Sequence, residues 1–444
     1  MLDVRPNVET RMHGLDVLYI SYDGLLEPLG ASQIVPYLCA LADRGVGLSV
    51  LSFEKPRDFD NRDRADRMDA LRSRLASKSI RWTPLRYHQR PRTLAKIVDL
   101  VSGIANALRL VRLERPAIVH ARSYISGLIA WAVQSVSGAR FVFDMRGFWP
   151  EERVELGLFR ARGVLYRLSK RCEQFLLDRS DHVVVLTESA KSILREREAE
   201  AHLAARHSRE NGISVIPCCA DLDRFRPTEP DRKLQLASEL EGRIVIGNIG
   251  AVNKRYMLHE MFRFFFHIKS HLPHARFVYL TQNDPSLVRP VARDAGLSED
   301  DLLITSVEPP DMPKWLSLFR LGVFFLKPSY AAKASSYTKL AEFLAAGVPV
   351  VTNKGVGDVE KILGSNRCGV LVPGLTENDL AAAARQALGL IEGERVPEPV
   401  RESCRATAEK HFALDEGVAR YFSIYQSLVS AELESEHPVA MELG

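Results

Sequence analysis

The sequence predicts an α/β protein made of two doubly wound domains that face each other across a cleft. The chain has 444 residues, which is more than one compact core usually organises. A short apolar strand, a glycine-bearing loop, a helix and a second strand follow one another near the N-terminus, and the same order recurs after residue 242. Each half therefore predicts a Rossmann-like domain.

Short apolar runs locate the strands of both halves. In the first half we expect strands at 16–21, 48–53, 117–120, 141–144 and 182–186. In the second half we expect them at 243–247, 277–280, 322–326 and 349–352. Helical patterns span 31–43 and 256–269. The charge-free run between Arg122 and Arg140 contains Ser, Gln and Gly, and predicts a buried helix rather than a membrane span.

The stretch 216–227 contains two prolines and separates the two halves. We expect an N-terminal domain over 1–225 and a C-terminal domain over 226–414. A tail helix from 414 to about 434 carries one apolar stripe and would return to the N-terminal domain as part of 415–444. The stripe consists of Val418, Tyr421, Phe422, Tyr425, Leu428 and Val429.

The segment 335–347 predicts a capped helix with features suited to a nucleotide. Ser335 or Ser336 would cap its start, and Gly347 would end it in a left-handed conformation. A helix start favours a phosphate, and Glu342 would lie roughly 9 Å further along the axis, near a ribose. The alternative is an ordinary core helix with a solvated glutamate, and this segment alone leaves both open.

Bulk properties exclude several classes of protein. With 46% hydrophobic and 26% charged residues, the composition is that of an ordinary globular protein. Six cysteines lack CxxC spacing, which argues against a zinc site and fits a reducing compartment. Neither half holds a complete GxGxxG fingerprint, which argues against a dehydrogenase. The N-terminus lacks a signal-peptide pattern, so we expect a cytoplasmic location.

The net charge of +4 is unevenly distributed. Residues 1–225 hold 35 Lys and Arg against 28 Asp and Glu, whereas residues 226–444 hold 25 against 28. Nine of the basic residues lie within 81–122, where the acids are Asp99 and Glu114. Such a region would attract anionic lipid at the inner face of a membrane, or a diphosphate-linked acceptor, or it would be a solvated arginine-rich surface.

Four segments resemble those of GT-B glycosyltransferases, within the large retaining family 4. They are Tyr22–Gly30 after the first strand, Phe143–Glu152, Val215–Phe225 at the boundary, and Ser335–Pro349. The resemblance spans essentially the whole chain. It implies metal-independent transfer of a hexose-like sugar from a nucleotide-diphosphate sugar to a hydroxyl of a glycan or lipid-linked acceptor. The attack would be a front-face displacement that needs no protein nucleophile and no cofactor.

The resemblance also implies site residues in the N-terminal domain. The loop from Gly24 to Gly30 would approach the donor, with glycine permitting positive φ and close backbone approach. Asp144 and Arg146 would contact the sugar as catalytic residues. The alternative is that the two form a structural ion pair. The residues expected near the acceptor are His120, Arg122 and Glu151.

In the C-terminal domain, the resemblance implies a set of groups around the nucleotide. Lys254 or Arg255 would neutralise the departing diphosphate, and Glu342 would bind the ribose hydroxyls. Supporting donor contacts are expected from Asn248, Ser335, Ser336 and Lys339. The family has a further glutamate eight residues before Glu342, and here that position is Ala334.

Two other hypotheses stay open at this point. Ala334 suggests a nucleotide-sugar-binding subunit without catalysis, and the fold also serves epimerases and phosphorylases. Asp221 and Asp223 form a DxD pair of the kind that holds a divalent metal, but their place in the boundary favours a turn.

Overall fold

The computed structural model describes residues 15–60, 62–90, 92–200, 212–364, 367–393 and 395–436. Within these ranges the strands form two sheets in which neighbouring strands run parallel. The first sheet has the order β3-β2-β1-β4-β5-β6-β7, and the second has the order β10-β9-β8-β11-β12-β13. The predicted fold class, with two doubly wound sheets, is confirmed.

The strands of the first sheet are β1 (Asp16–Ser21), β2 (Gly47–Glu54), β3 (Arg81–Arg86), β4 (Ile118–Arg122), β5 (Arg140–Asp144), β6 (His182–Val185) and β7 (Ile213–Val215). Those of the second sheet are β8 (Ile244–Ile249), β9 (Ala275–Leu280), β10 (Leu302–Thr305), β11 (Phe319–Val323), β12 (Val350–Asn353) and β13 (Gly369–Val372). Each strand predicted from the sequence overlaps one of these.

Helices cover both faces of each sheet. In the first half they are α1 (Pro28–Gln33), α2 (Val35–Asp43), α3 (Pro56–Asp60), α4 (Arg62–Ser77), α5 (Arg92–Glu114), α6 (Tyr124–Ser137), α7 (Trp149–Glu155), α8 (Val164–Arg179) and α9 (Glu188–Glu200). In the second half they are α10 (Arg232–Ala237), α11 (Leu258–Lys269), α12 (Arg289–Asp294), α13 (Met312–Leu318), α14 (Thr338–Ala345), α15 (Val359–Leu363), α16 (Glu377–Leu388), α17 (Glu398–Phe412) and α18 (Leu414–Glu436).

The helix predicted over 31–43 is wrong in one respect, because it consists of two helices. α1 ends at Gln33, and α2 begins at Val35 after Ile34, whose φ of −122° and ψ of −60° are not helical. Pro36 causes the break, since a proline is tolerated in the first turn of a helix but not in its interior.

The tail helix α18 packs on the N-terminal domain, as the sequence predicts. Val418, Tyr421 and Tyr425 belong to the buried cluster on one face of the first sheet, and Phe422 and Leu428 pack against it. The second sheet has its own core. The chain thus crosses between the domains twice, near residue 220 and residue 413, where Ala220 and Ala413 form a parallel bridge. The exact domain limits stay a prediction.

The order of strands reverses between β1 and β4 and between β8 and β11. In doubly wound sheets the crevice at such a point, outside the carboxyl ends of the strands, is where ligands bind. The loops after β1 and β8 lie there.

No helix among the described residues has the length and apolar character needed to cross a membrane. The charge-free run after Arg122 forms the helix α6 instead.

Candidate active site

The carboxyl edges of the two sheets meet in a cleft that is closed by direct contacts. Asp358, from the C-terminal domain, accepts hydrogen bonds from the backbone N–H groups of Glu188 (2.7 Å) and Ser189 (3.1 Å) at the start of α9. The ring of Phe148 stacks on that of Tyr330, with centroids 5.1 Å apart. The two domains are therefore in direct contact along these edges.

The backbone of the loop after β1 is hydrogen-bonded to a buried carboxylate. Glu54 accepts hydrogen bonds from the N–H groups of Leu25 (2.8 Å) and Leu26 (3.2 Å). Gly24 and Gly30 do not have positive φ, so that part of the prediction is wrong. The two glycines instead permit close packing, because a Cβ at Gly30 would collide with the carbonyl oxygen of Gly24.

Asp144 belongs to a buried ion cluster rather than to an open surface. Its Oδ2 accepts from Arg122 Nη1 at 2.8 Å and from the hydroxyl of Tyr421 at 3.2 Å. His120 Nδ1 lies 2.6 Å from the hydroxyl of Tyr425, and its Nε2 lies 3.9 Å from Asp144, too far for a hydrogen bond. We call Arg122, Asp144, His120, Tyr421 and Tyr425 the N-domain ion cluster.

The charges in this cluster are fixed by their neighbours. Burial favours the neutral acid, but the charge of Arg122 outweighs it and lowers the pKa of Asp144 to about 2. Burial lowers the pKa of His120, so this histidine is neutral at pH 7. Asp144 is completely buried, and its cluster attaches α18 to the strands β4 and β5. This placement is that of a structural group, and its predicted catalytic role stays a prediction.

Arg146 pairs with a different acid from the one expected. Its Nη1 lies 2.7 Å from Asp23 Oδ2 in the loop after β1, so an ion pair between Asp144 and Arg146 does not form. The φ of Arg146 is +63°, an unusual value for a residue with a side chain. The turn directs the guanidinium across to Asp23, and both side chains are partly exposed at the cleft.

The acids on α7 divide into two groups. Glu151, predicted near the acceptor, accepts from Lys170 (2.9 Å) and from Tyr166 (3.1 Å) on α8. Glu152 and Glu155 face the C-terminal domain instead, where they contact Arg255 at 3.0 and 3.2 Å. Sequence reasoning missed this pair, although their spacing of three residues places them on one helix face.

Arg255 is one of the two basic residues predicted to neutralise the diphosphate. Besides the two glutamates, its Nη2 donates to Ser335 Oγ at 3.0 Å, so the guanidinium joins the two domains. Lys254 is exposed and forms no ion pair among the described residues. Both therefore lie on the loop after β8, but with different surroundings.

Ser335 and Ser336 do not cap the helix as predicted. α14 begins at Thr338, its N-cap is Tyr337, and no side chain caps it. Ser336 Oγ instead accepts from the N–H of Cys218 at 3.1 Å, in the boundary segment. The end of the helix is as predicted, with Gly347 in the left-handed region at φ +75°.

Lys339 is buried at the start of α14 beside the loop after β8. Its Nζ donates to Asn248 Oδ1 at 3.0 Å and lies 4.2 Å from the ring centroid of Tyr256. Gly250, at φ +118°, keeps the backbone close to this amine, because a Cβ there would lie 3.3 Å from Nζ. Burial lowers the pKa of Lys339 to about 7, and no acid lies within 4 Å in the described chain.

Glu342 lies one turn further along the same helix. It is buried, with 9% of its surface exposed, and makes no ion pair or hydrogen bond within the described residues. Burial raises its pKa to about 7, against the attraction of Arg224 and Lys339. Arg224, which sequence reasoning missed, lies in the boundary segment. Lys339 and Glu342, which we call the C-domain charge pair, are thus buried without partners of opposite charge in direct contact.

Ala334 occupies the position of the missing family glutamate. It is buried, belongs to the hydrophobic cluster of the N-terminal domain, and its carbonyl lies 3.7 Å from where a Cβ on Gly147 would be. This position is therefore covered by the other domain.

The DxD pair forms a turn, since Asp221 Oδ1 accepts from the N–H groups of Asp223 and Arg224. No cluster of metal-ligating residues occurs in the described ranges.

Three of the nine basic residues within 81–122 are paired or buried. Arg81 pairs with Glu114, Arg86 pairs with Asp60, and Arg122 is buried against Asp144. Arg81 and Arg86 are exposed at the surface, whereas Glu114 is largely buried. The interpretation as an anionic-lipid site therefore gains no support from these three residues.

Comparison with known proteins agrees with this architecture. Residues 31–210 match the family model of the glycosyl transferase 4-like domain. The N-terminal part of the chain is therefore similar to this domain, and the two sheets have the arrangement of the GT-B fold. The resemblance to GT-B glycosyltransferases predicted from the sequence is thereby confirmed. No curated protein matches the chain in sequence.

Solved structures show the same fold at low identity. HepE from Anabaena, crystallised with UDP and glucose, is 14% identical with a TM-score of 0.63, over 93% of this chain and 99% of its own. Sucrose-phosphate synthase from Thermosynechococcus elongatus is 15% identical with a TM-score of 0.66, over 94% and 99%. A putative UDP-N-acetylglucosamine 2-epimerase from Listeria monocytogenes is 15% identical with a TM-score of 0.58, over 97% and 100%.

Proposed function

We propose that the chain is a retaining glycosyltransferase that moves a hexose-like sugar from a nucleotide-diphosphate sugar to a hydroxyl of a glycan or lipid-linked acceptor. The observation that carries this proposal is the C-domain charge pair. A buried amine and a buried carboxylate on one helix, next to a loop at the carboxyl edge of a sheet, are suited to a diphosphate and a ribose. Neither group is neutralised by a close partner of opposite charge.

The chemistry follows from these positions. Lys339 and Arg255 would stabilise the negative charge that grows on the departing diphosphate, because a preorganised cation in an enclosed site is effective there. Glu342 would accept hydrogen bonds from the ribose hydroxyls. The acceptor hydroxyl would attack from the face that the diphosphate leaves, so that closure of the cleft supplies orientation. We expect neither a metal nor a further cofactor to be required.

We also propose a cellular role for this activity. A chain with this fold would act in polysaccharide or glycolipid biosynthesis, in the cytoplasm and at the inner face of the membrane. The base of the donor is open. UDP is the first nucleotide to test, since HepE was solved with UDP and glucose.

A thermal-shift and calorimetric series tests the proposal. The chain is titrated with UDP, GDP and ADP and then with the corresponding nucleotide sugars, and the wild type is compared with Glu342→Ala. We expect one nucleoside diphosphate to raise the melting temperature of the wild type and not of the variant. Equal responses of both proteins, or no response to any nucleotide, would contradict the proposal. NMR then identifies which anomer of the sugar is released first when the donor is hydrolysed. Retention requires that this anomer has the configuration of the donor.

A nucleotide-sugar-binding subunit without catalysis is the second candidate, because Ala334 replaces the family's glutamate. Calorimetry that shows donor binding, together with no hydrolysis and no transfer to any acceptor, would favour it. Inversion at a carbon of the donor sugar, without release of the nucleotide to water, would favour an epimerase instead.

A further inference from the structure

The N-terminal domain exposes apolar side chains in an unusual concentration. Of the fifteen large hydrophobic residues that the described chain exposes, eight lie on two segments, the first half of α5 and the stretch from 158 to 168. They are Leu94, Ile97, Val98, Val101, Leu158, Val164, Leu165 and Leu168. We call these eight residues the N-domain apolar surface.

The exposure on α5 follows a helical face rather than a random scatter. Leu94, Ile97, Val98 and Val101 are spaced as neighbours on one side of a helix. Ala95, Asp99, Gly103 and Ala107 are buried on the opposite side. α5 thus has an internal face that packs on the domain and an outer apolar face that none of the described residues covers.

The two segments lie around one aromatic residue. The ring of Trp149 on α7 is 6.0 Å from Lys96 Nζ on α5, and its centroid is 5.7 Å from that of Phe159 and 5.5 Å from that of Tyr124. α5, α6 and the segment after α7 therefore meet here. Since α5, α6 and α8 begin at the carboxyl edge of the parallel sheet, this end is the cleft end of the domain.

Four arginines lie in or directly after the second of these segments, within a stretch between Glu155 and Glu173 that contains no acid. Arg160, Arg162, Arg167 and Arg171 are exposed and form no ion pair with any described residue. Residues 156–172 contain five basic and no acidic residues, and residues 115–143, which include α6, also contain none.

From this arrangement we propose that the N-domain apolar surface docks on an anionic lipid bilayer. Apolar side chains would enter the interface between head groups and acyl chains, and the unpaired arginines would contact phosphate groups. The absence of acids from 156–172 favours a uniformly anionic surface, which a bilayer provides.

The position of α7 connects this surface to the cleft. Trp149 at the start of the helix lies against Lys96 and Phe159, which belong to the two segments that carry the apolar surface. Glu152 and Glu155 on the same helix contact Arg255 in the cleft. A docked domain would hold the mouth of the cleft against the head groups. In terms of the proposed function, on which this step rests, the acceptor would be a lipid-linked hydroxyl that reaches the cleft past α7.

Vesicle flotation with the whole chain tests the docking. We compare vesicles of equal phosphatidylglycerol and phosphatidylcholine with vesicles of phosphatidylcholine alone. The wild type should float with the anionic vesicles, and Leu165→Ser/Leu168→Ser should bind them about tenfold or more weakly. Arg167→Gln/Arg171→Gln should lose a similar factor on anionic vesicles. The matched control is Leu236→Ser/Leu287→Ser, which changes leucines of similar exposure on the C-terminal domain.

The outcomes are separable from the proposed function, because flotation does not require activity. The same variants are titrated with nucleoside diphosphate, and unchanged binding shows that the fold is intact. Docking is overturned if the wild type does not float, or if the Leu165 and Leu168 variant floats like the control. The docking is also overturned if the wild type does not float but self-associates, and the Leu165 and Leu168 variant no longer self-associates. The apolar surface would then be assigned to a second copy of the chain. Flotation without any nucleotide binding would leave the docking in place and contradict the proposed function.

Discussion

Two buried charged clusters face the cleft from opposite domains, and they differ in how far their charges are neutralised. In the N-domain ion cluster, Asp144 is paired with Arg122 at 2.8 Å and keeps a pKa of about 2. In the C-domain charge pair, Lys339 and Glu342 lack such partners, and burial displaces the pKa of each to about 7. A buried charge that is already paired holds the fold together, whereas a buried charge without a partner is prepared for a ligand.

The largest effect should come from breaking the paired cluster. Asp144→Asn would leave the buried guanidinium of Arg122 without its counterion, so we expect the free energy of unfolding to fall by about 3–5 kcal/mol. Denaturant unfolding measures this loss. Asp23→Asn is the control, because its pair with Arg146 is partly exposed and should contribute less than about 1 kcal/mol.

The same variant decides between two roles for Asp144. If Asp144→Asn unfolds like the wild type but loses turnover, the catalytic role predicted from the family resemblance is correct. If stability falls and nucleotide binding persists in the folded fraction, the group is structural.

A substitution in the C-domain charge pair should affect stability in the opposite way. Glu342→Gln removes a buried carboxylate that has no partner, so we expect stability at pH 8 to be unchanged or higher. Nucleotide-sugar binding should weaken by about 10- to 100-fold, because a hydrogen bond to a charged group contributes about 1.5–3 kcal/mol. Calorimetry measures the affinity. Glu241→Gln serves as the control, since Glu241 precedes β8 at the edge of the sheet away from the cleft; an equal loss there would disprove the role of Glu342.

The pKa values of the pair predict how binding and stability depend on pH. The lowered pKa of Lys339 means that the folded state binds its proton less tightly than the unfolded state, so this residue makes stability rise between about pH 7 and 10.5. The raised pKa of Glu342 makes stability fall between about pH 4.5 and 7.

A bound diphosphate should favour the charged amine of Lys339. We therefore expect the affinity for a nucleoside diphosphate to decrease about tenfold per pH unit above about pH 7. Calorimetry from pH 6 to 9 checks this slope. Lys339→Met should bind more weakly throughout and lose the dependence; a variant that keeps the wild-type slope would assign the titration to another group.

The sequence predicted the central strands of both sheets but missed β3, β7, β10 and β13. These four are the edge strands of the two sheets. Three of them are only half-buried or alternate in burial, and the fourth, β7, has three residues, so none presents the continuous apolar run of a central parallel strand. Edge strands of this kind leave little trace in hydrophobic patterns.

The site could be predicted where it depends on local order and not where it depends on contacts between distant segments. Asn248 and Lys339 were both expected near the donor, and they do form a hydrogen bond. The pairing of Arg122 with Asp144 was missed, although both end neighbouring strands and are aligned in the sheet register. Tyr421 and Tyr425 come from α18, about 280 residues later in the chain, and no local pattern indicates their contacts with this cluster.

The smallest expected effect concerns the contact that joins the two regions. Arg255 is bound by Glu152 and Glu155, so an incoming diphosphate has to compete with two carboxylates for it. Partly exposed pairs of this kind contribute up to about 1 kcal/mol each. We therefore expect Glu152→Gln/Glu155→Gln to raise the affinity for the nucleoside diphosphate by about two- to fivefold, measured by calorimetry. Glu151→Gln is the control, because Glu151 contacts α8 instead. If the affinity for the nucleoside diphosphate falls in the double variant, Arg255 acts in closing the cleft and not in binding the donor. In that case the loss of the interdomain contact weakens binding more than the freed guanidinium strengthens it.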